Sequence, residues 1–199
     1  MRKKNDAYYT ISKVAAGCVN ALAPYIPWAP ITYGLEPSCG GLSFVYAMRE
    51  YARNKPDGPV VMQGVDLYET SRYAPDKGEG DYFAFDYFSS NFLSFRVMPH
   101  INFAIGNPPY AEAKEHLMHL FSQVTWPNFA AGFLLRAGFR HSLKRKWFWD
   151  HYPCYALKAI RRRPSFTGDG KTDASEYDFI IWKKQDDVWL GNEHLTWID

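Results

Sequence analysis

The stretch FAIGNPPYAEA, residues 103–113, decides how this sequence is read. It closes an apolar run, INFAIG (101–106), with the composition of a buried strand. An asparagine, two prolines and a tyrosine follow, and helical spacing then runs from about Glu112 to Gln123. Proline lacks an amide donor and fixes its own φ, so the corner is rigid and poor in donors. The Asn side-chain carbonyl and a proline carbonyl can both accept from one planar –NH2 group. The tyrosine ring can stack on a planar base. Drawing both amino hydrogens toward acceptors takes the nitrogen lone pair out of conjugation. The nitrogen then becomes a nucleophile without being deprotonated, which makes this corner a preorganised acceptor clamp. Asn107, Pro108, Pro109 and Tyr110 are therefore the candidate catalytic group.

Working outward, strand and helix patterns alternate. Toward the N-terminus, YTISKVAAGCVNALAPY puts Ile11, Val14, Ala15, Cys18, Val19 and Leu22 on one helical face, ended by Pro24 and Pro27. Strands are expected at 31–36, 59–66 and 82–86. A helix is expected over 43–54, with Phe44, Ala47, Met48 and Tyr51 inward. Beyond the helix that follows the corner, NFAAGFLLR (128–136), CYALKAI (154–160) and YDFIIWKK (177–184) read as strands. The last two have no helix between them, so they pair as an antiparallel hairpin at the end of an otherwise parallel sheet. Helices cover both faces of such a sheet. The whole chain, 1–199, reads as one domain: an N-terminal helical segment to about residue 30, then the sheet core over 31–199.

Ligands of open α/β sheets bind beyond the carboxyl ends of the strands. Those ends carry the conspicuous polar residues. LEPSCGG (35–41) is a strand, an acid (Glu36), a turn with two glycines, then a helix N-terminus. That is a place for close backbone approach to a ligand. Asp66 ends the next strand, where an acid accepts from ribose hydroxyls of a nucleoside cofactor. Asp86 is read as ending the third strand, in reach of an adenine amino group, with Asp81 as its competitor. The glycine-rich turn lacks the GxxxxGK[ST] pattern of a phosphate-binding loop. His116 and His119 lack the HExxH spacing and a third ligand, so they read as residues of a helix face and no metal is expected.

Composition narrows the classes further. No run of 18 apolar residues is present, and the charged start MRKKNDAYYT has no apolar core of a secretion signal. Three cysteines without paired spacing favour a reducing compartment over a disulfide scaffold or zinc ribbon. The net charge of +2 conceals an asymmetry: residues 136–171 hold ten Lys/Arg against two acidic residues. LKRKW and IRRRPSF lie in that stretch with interleaved aromatics, which suits a phosphate-binding surface. Lys144, Arg145, Lys146, Arg161, Arg162, Arg163 and Lys171 are the candidate nucleic-acid contacts.

Taken together, these motifs resemble the S-adenosylmethionine-dependent adenine-N6 DNA methyltransferases whose cofactor motif precedes NPPY. YYTISKV resembles their N-terminal Tyr/Phe-Thr-Pro motif, with Ile11 in place of proline. EPSCGG (36–41) resembles Glu-Pro-Ser-x-Gly-x-Gly, with Leu42 where the second glycine is expected. NPPY (107–110) matches unchanged. The resemblance implies a Rossmann-like seven-stranded sheet and S-adenosyl-L-methionine held by Tyr9, Thr10, Glu36, Ser38, Cys39, Gly40, Asp66, Asp86 and Asn107. It also implies that Phe166, in RPSFTGDGKTDASEY (163–177), packs on the target base.

The activity so implied is methyl transfer to N6 of adenine in DNA, within a restriction–modification or phage context and in the cytoplasm. The chain ends about fifteen residues after its last expected strand, leaving no room for a target-recognition domain. A short loop, a specificity-conferring protein partner, or an RNA or single-stranded substrate would then set specificity. A protein glutamine amide is equally planar and is the rival substrate. A non-catalytic module that binds nucleic acid or a partner is the rival of another class, with Leu42 as its support.

Overall fold

The computed structural model describes residues 10–54, 58–67, 82–141, 143–161, 175–191 and 194–198. Helix α1 (Ser12–Leu22) buries Val14, Ala15, Cys18, Val19 and Leu22, the expected stripe less one member. Ile11 is not on that face. It precedes the helix in an extended conformation and is 41% exposed. Strand β1 (Thr32–Glu36) leads through a tight turn into α2 (Ser43–Arg53), which buries Phe44, Val45, Met48 and Ala52. Ala47 and Tyr51 flank that stripe and are only partly buried.

Strands β2 (Val60–Asp66), β3 (Phe83–Ser89) and β4 (Phe103–Gly106) follow, then α3 (Ala113–Gln123) and β5 (Phe129–Arg136). After α4 (Lys146–His151) come β6 (Ala156–Ile160), β7 (Tyr177–Gln185), β8 (Val188–Leu190) and β9 (His194–Ile198). Among the described residues the strands form one nine-stranded sheet in the order β3-β2-β1-β4-β5-β7-β6-β9, with β8 paired to β7. β1 to β5 are mutually parallel, and β7 runs antiparallel to both β5 and β6.

The fold class is as expected, with two differences. β7 is inserted between β5 and β6, so the antiparallel pair does not simply follow the edge of the sheet. Two further strands also follow β7, where the sequence reading ended the sheet. β8 returns on β7 through Asp186 and Asp187, at φ 49° and 65°. Two consecutive positive-φ residues are what a two-residue hairpin turn needs, and Asp tolerates that region better than most residues. β9 then pairs parallel with β6.

Alternation sorts the side chains into two cores. Met62, Phe85, Phe103, Ile105, Leu134 and Phe179 face α1 and α2, while Leu35, Val65, Ala104, Phe133, Ile180 and Trp182 lie in the cluster that contains α3 and α4. Gly34 lies in β1 under Phe103, and Gly132 in β5 under Phe179. A Cβ at either position would collide with the ring. These glycines let two large aromatics lie flat against the sheet. The chain leaves β1 toward β2 on one side, while β4 returns on the other. The crevice between β1 and β4 is thus a topological switch point, where a ligand is accommodated in this class of sheet.

Candidate functional site

Glu36 ends β1, and Asn107 directly follows β4. Pairing of Gly34 with Phe103 and of Leu35 with Ala104 brings these two ends side by side. Glu36 is only 2% exposed. Burial, and then the charge of Asp66, push its carboxyl well above the ordinary 4.5, while the backbone N–H of Val45 in the first turn of α2 opposes the shift. Its Oε2 has no hydrogen-bond partner among the described residues. An unsatisfied buried carboxylate oxygen in a cleft suits a cationic or N–H-bearing ligand group.

The turn after Glu36 is pinned at several points. Cys39 N–H donates to Val65 O at 3.1 Å, and Leu42 N–H to Cys39 O at 2.6 Å. Gly40 N–H donates to Asp66 Oδ2 at 2.8 Å, with Gly40 at φ 42°. Asp66 therefore closes this turn, and it stands at the end of β2 as expected. Ser38 lines the cleft beside Glu36 and Gly40, and Ser38 Oγ donates to Pro37 O at 2.8 Å. Leu42 is the residue before α2, at φ 62° and ψ 22°. It takes up the left-handed conformation a glycine would adopt there, and its side chain is fully buried in the core under α2.

Thr10 and Asn107 close the other side of the same cleft. Asn107 Nδ2 donates to Thr10 Oγ1 at 3.2 Å, and Ser43 Oγ donates to Thr10 O at 2.6 Å. Pro108 is buried and Pro109 half-buried, and Pro109 O accepts from Glu112 N–H at 3.0 Å, which ties the corner to the start of α3. Tyr110 packs against Tyr177, with ring centroids 5.5 Å apart, and the Arg136 guanidinium lies over its ring at 4.7 Å. Burial and the neighbouring Tyr177 push the Tyr110 phenol up, so it stays neutral. Arg136 and Tyr177 were not singled out as site residues from the sequence. They face one another across β5 and β7, a pairing that only the inserted β7 creates.

Asp86 is not at a strand end. It lies in the middle of β3, paired with Gln63, and is exposed. β3 is an edge strand with one face partly open, so a charged residue is tolerated in mid-strand, and the strand runs three residues further than YFAFD suggested. Ser89, Ser90 and Asn91, and not Asp86, stand at the end of β3 beside Asp66. Ser89 is level with Asp66, Ser90 N–H donates to Asp66 O at 2.8 Å, and Asn91 Oδ1 accepts from Leu93 N–H at 3.0 Å. The polar cluster SSN after the aromatic run was the available signal.

The basic stretch is less uniform than its charge count. Lys144 is exposed, whereas the Arg145 guanidinium lies over Phe139 at 4.4 Å and donates to Phe139 O at 3.0 Å. Lys146 pairs with Asp150 at 2.6 Å, and Arg140 pairs with the largely buried Asp178 at 3.3 Å. Arg161 is exposed at the end of β6. Tyr9, Arg162, Arg163, Phe166 and Lys171 lie outside the described residues. His116 Nδ1 lies 3.0 Å from Glu112 O, within the first turn of α3, and His119 Nε2 lies 2.9 Å from Phe95 O, which ties α3 to the segment before β4. Among the described residues no group of three or more His, Cys, Asp or Glu is arranged to hold a metal ion. Nor is any described helix long and apolar enough to cross a membrane.

No family model and no curated protein matches the sequence. Solved structures do match in fold. A Listeria monocytogenes protein assigned as a class I S-adenosylmethionine-dependent methyltransferase superposes with a TM-score of 0.66 at 12% identity over 94% of this chain. The methyltransferase subunit of a type I restriction-modification system from Streptococcus thermophilus gives 0.63 at 15% over 92%. The 23S rRNA methyltransferase ErmE gives 0.58 at 13% over 94%. This chain spans 64%, 46% and 73% of those three proteins respectively. At these identities the likeness is one of fold: the sheet described above is the Rossmann-like sheet of these methyltransferases.

Proposed function

We propose that this chain transfers a methyl group from S-adenosylmethionine to the N6 amino group of adenine in DNA. The observation that carries the reading is the placement of the NPPY corner at the switch point, with Asn107 on the wall of the cleft that also holds Glu36 and Gly40. Structural neighbours named for the same cofactor and for a restriction–modification subunit support it.

When bound, the cofactor supplies a methyl group on a positively charged sulfur. The residues here fit such a molecule. Glu36 offers the orphaned oxygen Oε2 to its ammonium end, and the Gly40 turn permits close backbone approach. Asp66, at the end of β2, would take the ribose hydroxyls. Asn107 Oδ1 and the Pro108 carbonyl would accept from the target amino group, which raises the nucleophilicity of its nitrogen, and Tyr110 would supply the aromatic wall once the base displaces Arg136 from its ring. Transfer would leave the target nitrogen with one proton too many, and Asn107 and Pro108 would hold that nitrogen by its N–H groups until the proton passes to water. A base inside a duplex must first leave the stack, at about a few kcal/mol. Phosphate contacts from exposed side chains such as Lys144 and Arg161 would offset that cost.

The test is methyl-labelled S-adenosylmethionine with mixed-sequence duplex DNA, single-stranded DNA and RNA, followed by nucleoside separation. Label is expected in N6-methyladenine from DNA, and N107A is expected to abolish it. Label in RNA only would reassign the substrate, and cofactor binding with no label in any of these polymers would favour a protein glutamine. Absence of cofactor binding would leave a non-catalytic module.

A further inference from the structure

Resting on the reading above, we propose that Thr10 is a positioning residue for the acceptor amide of Asn107, rather than a side-chain contact to the cofactor. Asn107 Nδ2 donates to Thr10 Oγ1 at 3.2 Å, across 97 residues of sequence. The carboxamide is planar, so holding Nδ2 on Thr10 also fixes where Oδ1, the acceptor end, lies. Thr10 is itself fixed. It is 7% exposed, and its carbonyl accepts from Ser43 Oγ at 2.6 Å, at the first residue of α2. The amide is thereby tied through Thr10 to the turn that carries Glu36 and Gly40. The two halves of the site, cofactor turn and acceptor corner, share one side chain. Thr10 Oγ1 accepts from Asn107 and keeps an O–H of its own, so the split between kcat and cofactor Kd is what tells a positioning role from a cofactor contact.

The discriminating variants are Thr10→Val, which keeps the volume and removes the hydroxyl, and Thr10→Ser, which keeps the hydroxyl and removes a methyl group. Three quantities are read: cofactor Kd by calorimetry, kcat at saturating cofactor, and the Asn107 side-chain amide resonance of the ligand-free protein, assigned with N107A. T10V is expected to lower kcat about tenfold, leave Kd within about twofold, and shift the Asn107 amide signal. T10S is expected to restore all three.

A T10V protein with weakened cofactor binding, normal kcat and an unmoved Asn107 signal would overturn the proposal, as would equal losses in T10S and T10V, which mark a packing role. Failure of the parent reading looks different. The unmutated protein would then methylate no polymer, while the Asn107 resonance would still report whether Thr10 holds the amide.

Discussion

Leu42 allows a prediction that sets burial against backbone strain. The residue is fully buried and stands at φ 62°, ψ 22° just before α2. Two terms compete when it is shortened. Removing a buried leucine side chain costs about 2–5 kcal/mol, so Leu42→Ala should lose an amount in that range. Alanine also keeps the left-handed strain, worth about 1–2 kcal/mol for a residue with a Cβ. Leu42→Gly loses one buried carbon more, about 0.8 kcal/mol, and about 0.5–1 kcal/mol for the greater freedom of glycine in the unfolded chain, but sheds the strain. The expected order of stability is therefore Leu first, with Gly and Ala level to within about 1 kcal/mol. In a helix interior alanine leads glycine by about 1 kcal/mol.

Urea unfolding of the three proteins, compared at their midpoints with a shared slope, resolves such a difference. In thermal melts each kcal/mol moves Tm by about 2–4 °C for a chain of this size. Alanine ahead of glycine by well over about 1 kcal/mol, beyond the lead it has in a helix interior, would refute the claim that the backbone here is left-handed. A glycine variant more stable than the natural protein would refute the claim that the side chain is a core residue.

Further outcomes follow from the same geometry. Glu36 has its carboxyl raised by burial, so the folded state holds a proton that the unfolded state releases from about pH 4.5 upward. Stability should thus fall as pH rises from the unfolded value through the folded one, and Glu36→Gln should flatten that slope in melts taken across the range. On the basic surface, Lys144→Ala should reduce the salt slope of DNA binding by about one, because an exposed lysine acts as a phosphate contact. Arg145→Ala should instead lower Tm and leave the slope nearly unchanged, since its guanidinium is committed to Phe139. Filter binding over a salt series, with melts alongside, separates the two.

The sequence by itself determined the strand–corner–helix unit at NPPY, the parallel core, the buried stripe of α1, and the acids that close β1 and β2. These are local signals: apolar period, rigid prolines, and a polar residue at the end of an apolar run. Asp86 was misplaced because the end of an edge strand is weakly marked. Its residues alternate between a packed face and a partly open one, so an acid in mid-strand looks like a terminus.

Only the tertiary structure decided what depends on distant segments meeting. β7 entering between β5 and β6 sets Tyr177 opposite Arg136, and both against Tyr110. The register of β1 on β4 sets Glu36 beside Asn107, and residue 10 reaches residue 107. Leu42 carries the same lesson. The turn needs a left-handed residue, and glycine is the local answer, but the core beneath α2 also takes a leucine side chain from that position. Burial there competes with backbone strain, and a term set by the packing of other elements cannot be read from neighbouring letters.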